Sequence, residues 1–267
     1  MIARLLFILP AIVLGGSVLF TGCGITPEEE EALAVQALNQ MDIAATTVDE
    51  KMYRIEGAMD NDKFHAALTH ITTLHTRHQL SIDFNGAEFT DLAALSRFSN
   101  LQSLDLSSNS SLTDLRSLPS LPGLQKLNLS SDDQLTDFTG LSNAPNLKSL
   151  NLYKTTFTDF EALSHLAGLE TLDLSYHANL ESFTGFPRLT NLKSLNLSYN
   201  DALRDLTELS NFTGLLTLDL SYTSAITDLM PLSRLPRLQS LNLYNSSLSP
   251  KQINALQQAK PGLTIEK

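Results

Sequence analysis

Four histidines, His65, His70, His75 and His78, are the first residues of this chain whose spacing suggests chemistry, and the last two would share a helix face. Imidazoles so placed could hold zinc, but a zinc site takes three or four ligands, and no Asp, Glu or Cys nearby completes a recognisable set. Neither a glycine-rich phosphate loop nor a Gly-x-Ser-x-Gly elbow occurs. Serines are abundant, yet they recur at a fixed interval, which is the mark of a scaffold. The sequence therefore points away from an enzyme, and no metal and no cofactor is expected.

The aromatic residues are more pointed. "LDLSY" at residues 172–176 returns as "LNLSY" at 195–199 and as "LDLSY" at 218–222, so Tyr176, Tyr199 and Tyr222 recur at one interval. Tyr153 and Tyr244 occupy the preceding column of the flanking copies. Five of the six tyrosines thus end the same short motif, in a chain with no tryptophan. Tyrosine offers a rigid apolar surface with a polar tip, which suits it to interfaces. Two residues before Tyr153 and Tyr244, and three before the others, runs a column of Asp and Asn: Asp83, Asp105, Asn128, Asn151, Asp173, Asn196, Asp219 and Asn242. These are poor strand formers. Either they keep an uncovered sheet face soluble, or Asp173, Asn196 and Asp219 contact a ligand beside Tyr153, Tyr176, Tyr199, Tyr222 and Tyr244.

The elements that would hold such a row follow from the repeat. Cutting before each matching leucine gives "LQSLDLSSNSSLTDLRSLPSLPG" from Leu101, and further units begin at Leu124, Leu147, Leu169, Leu192 and Leu215. A degenerate copy starts at Gln79 and a lengthened one at Leu238. Leucines at unit positions 4 and 6, such as Leu172 and Leu174, alternate as on one face of a strand. Apolar residues then come at every third position, as in Leu112, Leu115, Leu118 and Leu121, which suits a 3-10 or short helical return. One unit cannot bury both rows, but stacked neighbours enclose a continuous core.

"LQSLDLSSN" (Leu101 to Asn109) spells the L-x-x-L-x-L-x-x-N signature, and the chain resembles bacterial leucine-rich repeat proteins of the internalin-like kind. The resemblance implies an α/β solenoid: a parallel β-sheet on the concave face, 3-10 or short helical segments on the convex side, and a helical N-terminal cap. Its asparagine column holds Asn109 and Asn200, but Ala87, Asp132, Thr155, His177, Thr223 and Ser246 elsewhere. Ala87 and His177 put the continuity of the expected side-chain ladder in question. A further column, Asp91, Asp114, Asp137, Asp159, Ser182, Asp205 and Asp228, precedes each return segment and reads as N-caps.

The remaining segments divide the chain. "MIARLLFILPAIVLGGSVLFTGCG" has an apolar stretch too short for an ordinary membrane span, with the flanks of an export signal. "LFTGC" resembles the lipobox of bacterial lipoproteins, which implies cleavage after residue 22 and a diacylglycerol on Cys23. Residues 23–78 read as the lipid anchor site, a linker and a helical cap. Thr26, Pro27 and Glu29 form a capping box with a first-turn proline, Thr47 and Glu50 repeat the pattern, and "DKFHAALTHITTLH" has helical spacing. Residues 79–262 hold eight repeats, the last ending in a helix opened by Ser249 and Pro250, and 263–267 form a tail.

A net charge of −11 argues against nucleic acid, whose phosphates require Lys and Arg. The expectation is a lipid-anchored binding protein of the bacterial cell envelope, at the outer membrane as Gly24 after the cysteine implies. Its concave face would meet a macromolecule, foremost a protein. A glycan or peptidoglycan ligand, and an assembly role with no dedicated ligand, remain open as alternatives.

Overall fold

A computed structural model describes residues 25–49 and 52–267 of the chain. Its centre is one sheet of eleven strands that follow each other in chain order. β1 (Ala44–Asp49) runs antiparallel to β2 (Met52–Glu56), and every later pair of neighbours is parallel. The repeat units supply β3 (Gln79–Asp83), β4 (Leu101–Asp105), β5 (Lys126–Asn128) and β6 (Ser149–Asn151). They continue with β7 (Thr171–Asp173), β8 (Ser194–Asn196), β9 (Thr217–Asp219) and β10 (Ser240–Asn242), and β11 (Thr264–Glu266) follows.

Parallel strands need a crossover to bring the chain back. Here it includes short 3-10 turns at Leu92–Arg97, Thr139–Asn143, Phe160–Leu163, Thr207–Asn211 and Met230–Arg234. The position 4 and position 6 leucines, Leu104 and Leu106 through Leu241 and Leu243, are buried against apolar residues of the returns such as Leu115, Leu163 and Leu232. A buried leucine contributes ~1.5–3 kcal/mol, so the stack gains with each unit what one unit could not reach alone. Packing between returns is close: a Cβ on Gly140 would come within 1.9 Å of the Leu115 carbonyl oxygen.

Helices close the ends of the stack. α1 (Pro27–Gln40) starts with the expected capping box between Thr26 and Glu29. α2 (Asn61–His75) sets Phe64 against Phe84 and Phe89 of the first unit, at ring distances of 5.2 and 5.0 Å. α3 (Pro250–Ala259) has Ser249 as its cap, reciprocated by Gln252.

The ends also differ from the sequence reading. Between α1 and α2 the chain forms the β1–β2 hairpin, and Thr47 lies in β1 instead of capping a helix. Tyr53 and Ile55 alternate inward from β2, and the otherwise open edge of β3 supplies the backbone partners that make a strand preferable. At the other end the expected tail contains β11, which satisfies the outer edge of β10 and buries Leu263.

The Asp column before the returns also works in a shifted register. Asp114, Asp137, Asp205 and Asp228 each accept the backbone N–H two residues on, at 2.8–3.0 Å, as Asx turns. Ser182 does so at 3.4 Å, whereas Asp91 pairs with His65 Nε2 at 3.1 Å and Asp159 makes no capping bond. The asparagine column is buried from Ala87 to Thr223; Ala87 has no side chain to extend the ladder, but the column stays connected at His177. The His177 backbone N–H donates to Asn200 Oδ1 at 2.6 Å. His177 Nδ1 lies 2.9 Å from the Leu174 carbonyl oxygen and Nε2 lies 3.2 Å from Thr155 Oγ1. Desolvation holds the imidazole pKa down, so the ring is neutral, with Nδ1 donating and Nε2 accepting.

Candidate functional site

The tyrosines stand where each inner strand turns outward. At position 8 of every unit the backbone is left-handed: Gly86, Ser108, Ser131, Lys154, Tyr176, Tyr199, Tyr222 and Asn245 have φ between 53° and 69°. The turn is fixed by a backbone ladder that continues beyond the strands. Tyr176 N–H donates to Ser198 O, Tyr199 N–H to Ser221 O and Tyr222 N–H to Tyr244 O, at 2.9–3.0 Å. Glycine and asparagine tolerate this conformation, and an ordinary L-residue there costs ~1–2 kcal/mol. Gly86 and Asn245 obey the local preference, whereas Ser108, Ser131, Lys154 and three consecutive tyrosines oppose it. Of these, the tyrosines alone bring rings that can return energy through contact with one another.

Part of that return is mutual stacking. Tyr176 and Tyr199 are 4.2 Å apart with planes at 20°, and Tyr199 and Tyr222 are 4.3 Å apart at 7°. Tyr153 meets Tyr176 edge-on at 5.0 Å, and Tyr244 meets Tyr222 edge-on at 5.6 Å. Each aromatic pair contributes ~0.5–1.5 kcal/mol beyond area burial. The ladder is still open to solvent: Tyr176, Tyr199 and Tyr244 are 41%, 36% and 51% exposed. Crowding raises the pKa of the central phenol, Tyr199, to about 12, through desolvation first and then the hydroxyls of Tyr222 and Tyr176. Tyr199 is thus held neutral, and the row presents a stacked apolar surface along its rings.

The Asp and Asn column has other work. Asp173 Oδ1 accepts the Ser175 N–H at 2.9 Å, and its Oδ2 accepts from Asn196 Nδ2 at 2.9 Å. Asp219 is held likewise by the Ser221 N–H at 2.8 Å and Asn242 Nδ2 at 3.0 Å. Asn196 Oδ1 accepts the Ser198 N–H at 3.0 Å. These side chains end their strands and tie neighbours in pairs, Asp173 with Asn196 and Asp219 with Asn242, which explains poor strand formers on a strand better than solubility does. Asp173, Asn196 and Asp219 lie beside the tyrosine row, but their polar atoms are already engaged within the sheet.

The histidines of the N-terminal cap are dispersed. His65 faces Asp91, His75 lies edge-on to Phe98 at 5.2 Å, and His78 Nε2 lies 3.0 Å from Glu31 Oε2. Desolvation lowers the pKa of His70 and of His75. Glu31 also accepts the Tyr53 hydroxyl at 2.5 Å, so one carboxylate joins α1, β2 and the turn after α2. Cys23 and the apolar stretch before it lie outside the described residues. No helix among the described residues is long and apolar enough to cross a membrane.

A family model described as leucine-rich repeats in two copies matches residues 99–143. No curated protein matches the chain in sequence. Among solved structures, an internalin (InlF) from Listeria monocytogenes superposes with a TM-score of 0.62 at 24% identity, over 91% of this chain and 62% of that one. The chain thus spans under two-thirds of that internalin's length. Internalin C2 from the same organism aligns with a TM-score of 0.55 at 26% identity, over 82% of this chain and 85% of its own. The crystal structure of a TLR13–ssRNA13 complex aligns with a TM-score of 0.56 at 25% identity, over 81% of this chain and 32% of that one.

Proposed function

Taking the chain as a leucine-rich repeat protein of internalin-like fold, we propose that it is a non-catalytic recognition module of the bacterial cell envelope whose tyrosine row binds a protein partner. The observation that carries this reading is the conflict at position 8. Tyr176, Tyr199 and Tyr222 occupy left-handed backbone positions at a steric cost, yet Tyr176 and Tyr199 remain exposed and Tyr222 is only half-buried. Stacking between the rings offsets strain of similar size but leaves their exposed faces without a folding role, whereas a continuous row of rings is what a partner's apolar groups require.

The surrounding face supports a protein rather than a nucleic acid. Small residues, Gly86, Ser108 and Ser131, hold the same column in the earlier units, so the aromatic surface begins only at the fourth to fifth unit. The net charge of −11 opposes a polyphosphate ligand. On this reading Cys23 carries a lipid that tethers the solenoid to a membrane, the outer membrane in a diderm cell.

A photo-crosslinking amino acid at position 199 in living cells tests the proposal, with position 210 on the convex side as control. A discrete protein adduct from position 199 alone, competed away by purified parent protein but not by the Tyr176→Asn/Tyr222→Asn variant, is expected. Equal adducts from both positions, or none from 199, would overturn it.

A further inference from the structure

Two units of the solenoid are short, the degenerate first copy at Gln79 and one inside the array. The copy beginning at Leu147 has 22 residues where the next copies have 23. Only Thr155 and Thr156 separate the left-handed Lys154 from the buried Phe157, whereas His177, Ala178 and Asn179 separate Tyr176 from Leu180. The shorter path reaches its apolar position one residue earlier than the loop of its neighbour. Between the two lies an open cavity of about 530 Å³, walled by residues drawn from 155–160 and 176–184. That volume lies in the range of pockets that hold organic groups.

Its chemistry is specific. Phe157 and Phe160 line it and are braced from behind, by Phe138 at 4.8 Å and Phe186 at 4.7 Å respectively. Tyr176 belongs both to this wall and to the end of the stacked row. Glu181 brings the one carboxylate of the lining, is exposed, and takes part in none of the salt bridges among the described residues. Lys154 lies in the tyrosine column and is not part of the lining. Aromatic walls with a single free carboxylate suit a flat cation. A guanidinium stacks on rings and engages a carboxylate in a fork, which an ammonium cannot do.

The geometry points to this cavity as the seat of an arginine side chain of the protein that lies along the tyrosine row. This rests on the reading that the row meets a protein, and it adds the anchor: rings for the partner's apolar strip, then one arginine turned in beside Tyr176 toward Glu181. The protein's acidic balance draws the same chemistry from a distance.

The test titrates the full chain in detergent micelles with N-acetyl-arginine methylamide, its lysine counterpart and N-acetylglucosamine, following backbone amide shifts. Saturable shifts at Thr156, Ala178 and Thr184 are expected with the arginine probe. They should require about fivefold more lysine probe, and Glu181→Gln, which keeps the loop's shape, should weaken the arginine probe by about fivefold. No arginine shifts at these amides, shifts unaffected by Glu181→Gln, or shifts with the saccharide alone would overturn the assignment. The two readings fail separately. Arginine shifts without a partner crosslinked at position 199 would leave the cavity and remove the row. A crosslink that persists unchanged in Glu181→Gln, with no arginine shifts, would remove the cavity alone.

Discussion

The rings of Tyr199 and Tyr222 lie 4.3 Å apart and 7° from parallel, although each grows from a backbone with positive φ. Two terms of similar size therefore oppose each other: ~1–2 kcal/mol of left-handed strain per tyrosine against ~0.5–1.5 kcal/mol per aromatic contact. Changing Tyr176, Tyr199 and Tyr222 together to Asn removes both. The triple variant should unfold within about 1–2 kcal/mol of the parent in urea, while partner binding should fall by at least ~2 kcal/mol. A much larger loss of stability would identify the rings as packing residues and move the binding surface elsewhere.

Glu31 makes a separate, local prediction. Burial alone would raise its pKa, and the hydrogen bonds from Tyr53 and then His78, helped by the charges of His78 and Arg77, overcome this and lower it. Glu31→Gln should cost ~1–3 kcal/mol, as loss of hydrogen bonds to a charged group does. Faster amide exchange in α1, with β6 to β10 unchanged, would locate the loss in the cap. Because the folded pKa is depressed, this stability is present above the ordinary 4.5 and is lost as pH falls through the folded value. Parent and variant should thus converge in acid, and a gap that persists once the carboxyl is protonated in both the folded and unfolded states would contradict the assignment.

How much of this was legible in the sequence depends on what each residue's neighbours contribute. Leu172 and Leu174 reveal their face because period two leaves no other solution, and Phe157 to Leu166 reveal a 3-10 return by period three, whereas the same period from Leu112 to Leu121 yields turns and no 3-10 helix. The tyrosine row was legible as a column because a repeat carries its own alignment. Its left-handed backbone was marked only by Gly86 and Asn245, and a tyrosine does not advertise the sign of φ. Asp173 and Asp219 looked available because their partners, an amide two residues on and an asparagine one unit away, are apparent only once the strand ends and its neighbour is in register. The hairpin and β11 were hidden for another reason: short segments such as "AATTVD" and "TIE" become strands because a sheet edge awaits them. The missing residue in the Leu147 unit could be counted, but a count does not say whether the chain tightens or leaves a cavity.

The lipid assignment is testable without reference to the solenoid. A single acyl-bearing residue holds a chain at the membrane by its hydrocarbon and leaves the fold untouched. Cys23→Ser should therefore shift the protein from the membrane pellet to the soluble fraction, with the thermal transition of the solenoid unchanged. Retention of the variant in the pellet after a high-salt wash would show that the apolar N-terminal stretch, and not a lipid, is the anchor.

Asp132 gives the strongest pH dependence in the fold. It occupies the asparagine column, is fully buried, and its Oδ1 accepts the Asn109 N–H at 2.6 Å, while its Oδ2 and Asn109 Oδ1 have no partner. Desolvation raises its pKa to about 7, against the lowering effect of the Asn109 N–H and with smaller contributions from Asp105 and Asp133. A carboxyl whose folded pKa lies above its unfolded 3.8 binds its proton more tightly in the native state. Stability should accordingly fall as pH rises from 3.8 toward 7, by at most ~1.4 kcal/mol per pH unit, and level off above. Asn200, the equivalent residue three copies on, avoids the problem by donating Nδ2 to the Leu174 and Leu197 carbonyl oxygens at 2.9 and 3.0 Å. Asp132→Asn would keep the acceptor for Asn109 and supply the missing donor. It should therefore stabilise the solenoid at pH 8 by ~1–3 kcal/mol, the cost of one buried unsatisfied polar group, and by much less at pH 4. Urea unfolding of parent and variant across that range decides it: two curves that stay parallel in pH would mean that Asp132 is not held protonated, and that the column accommodates its charge.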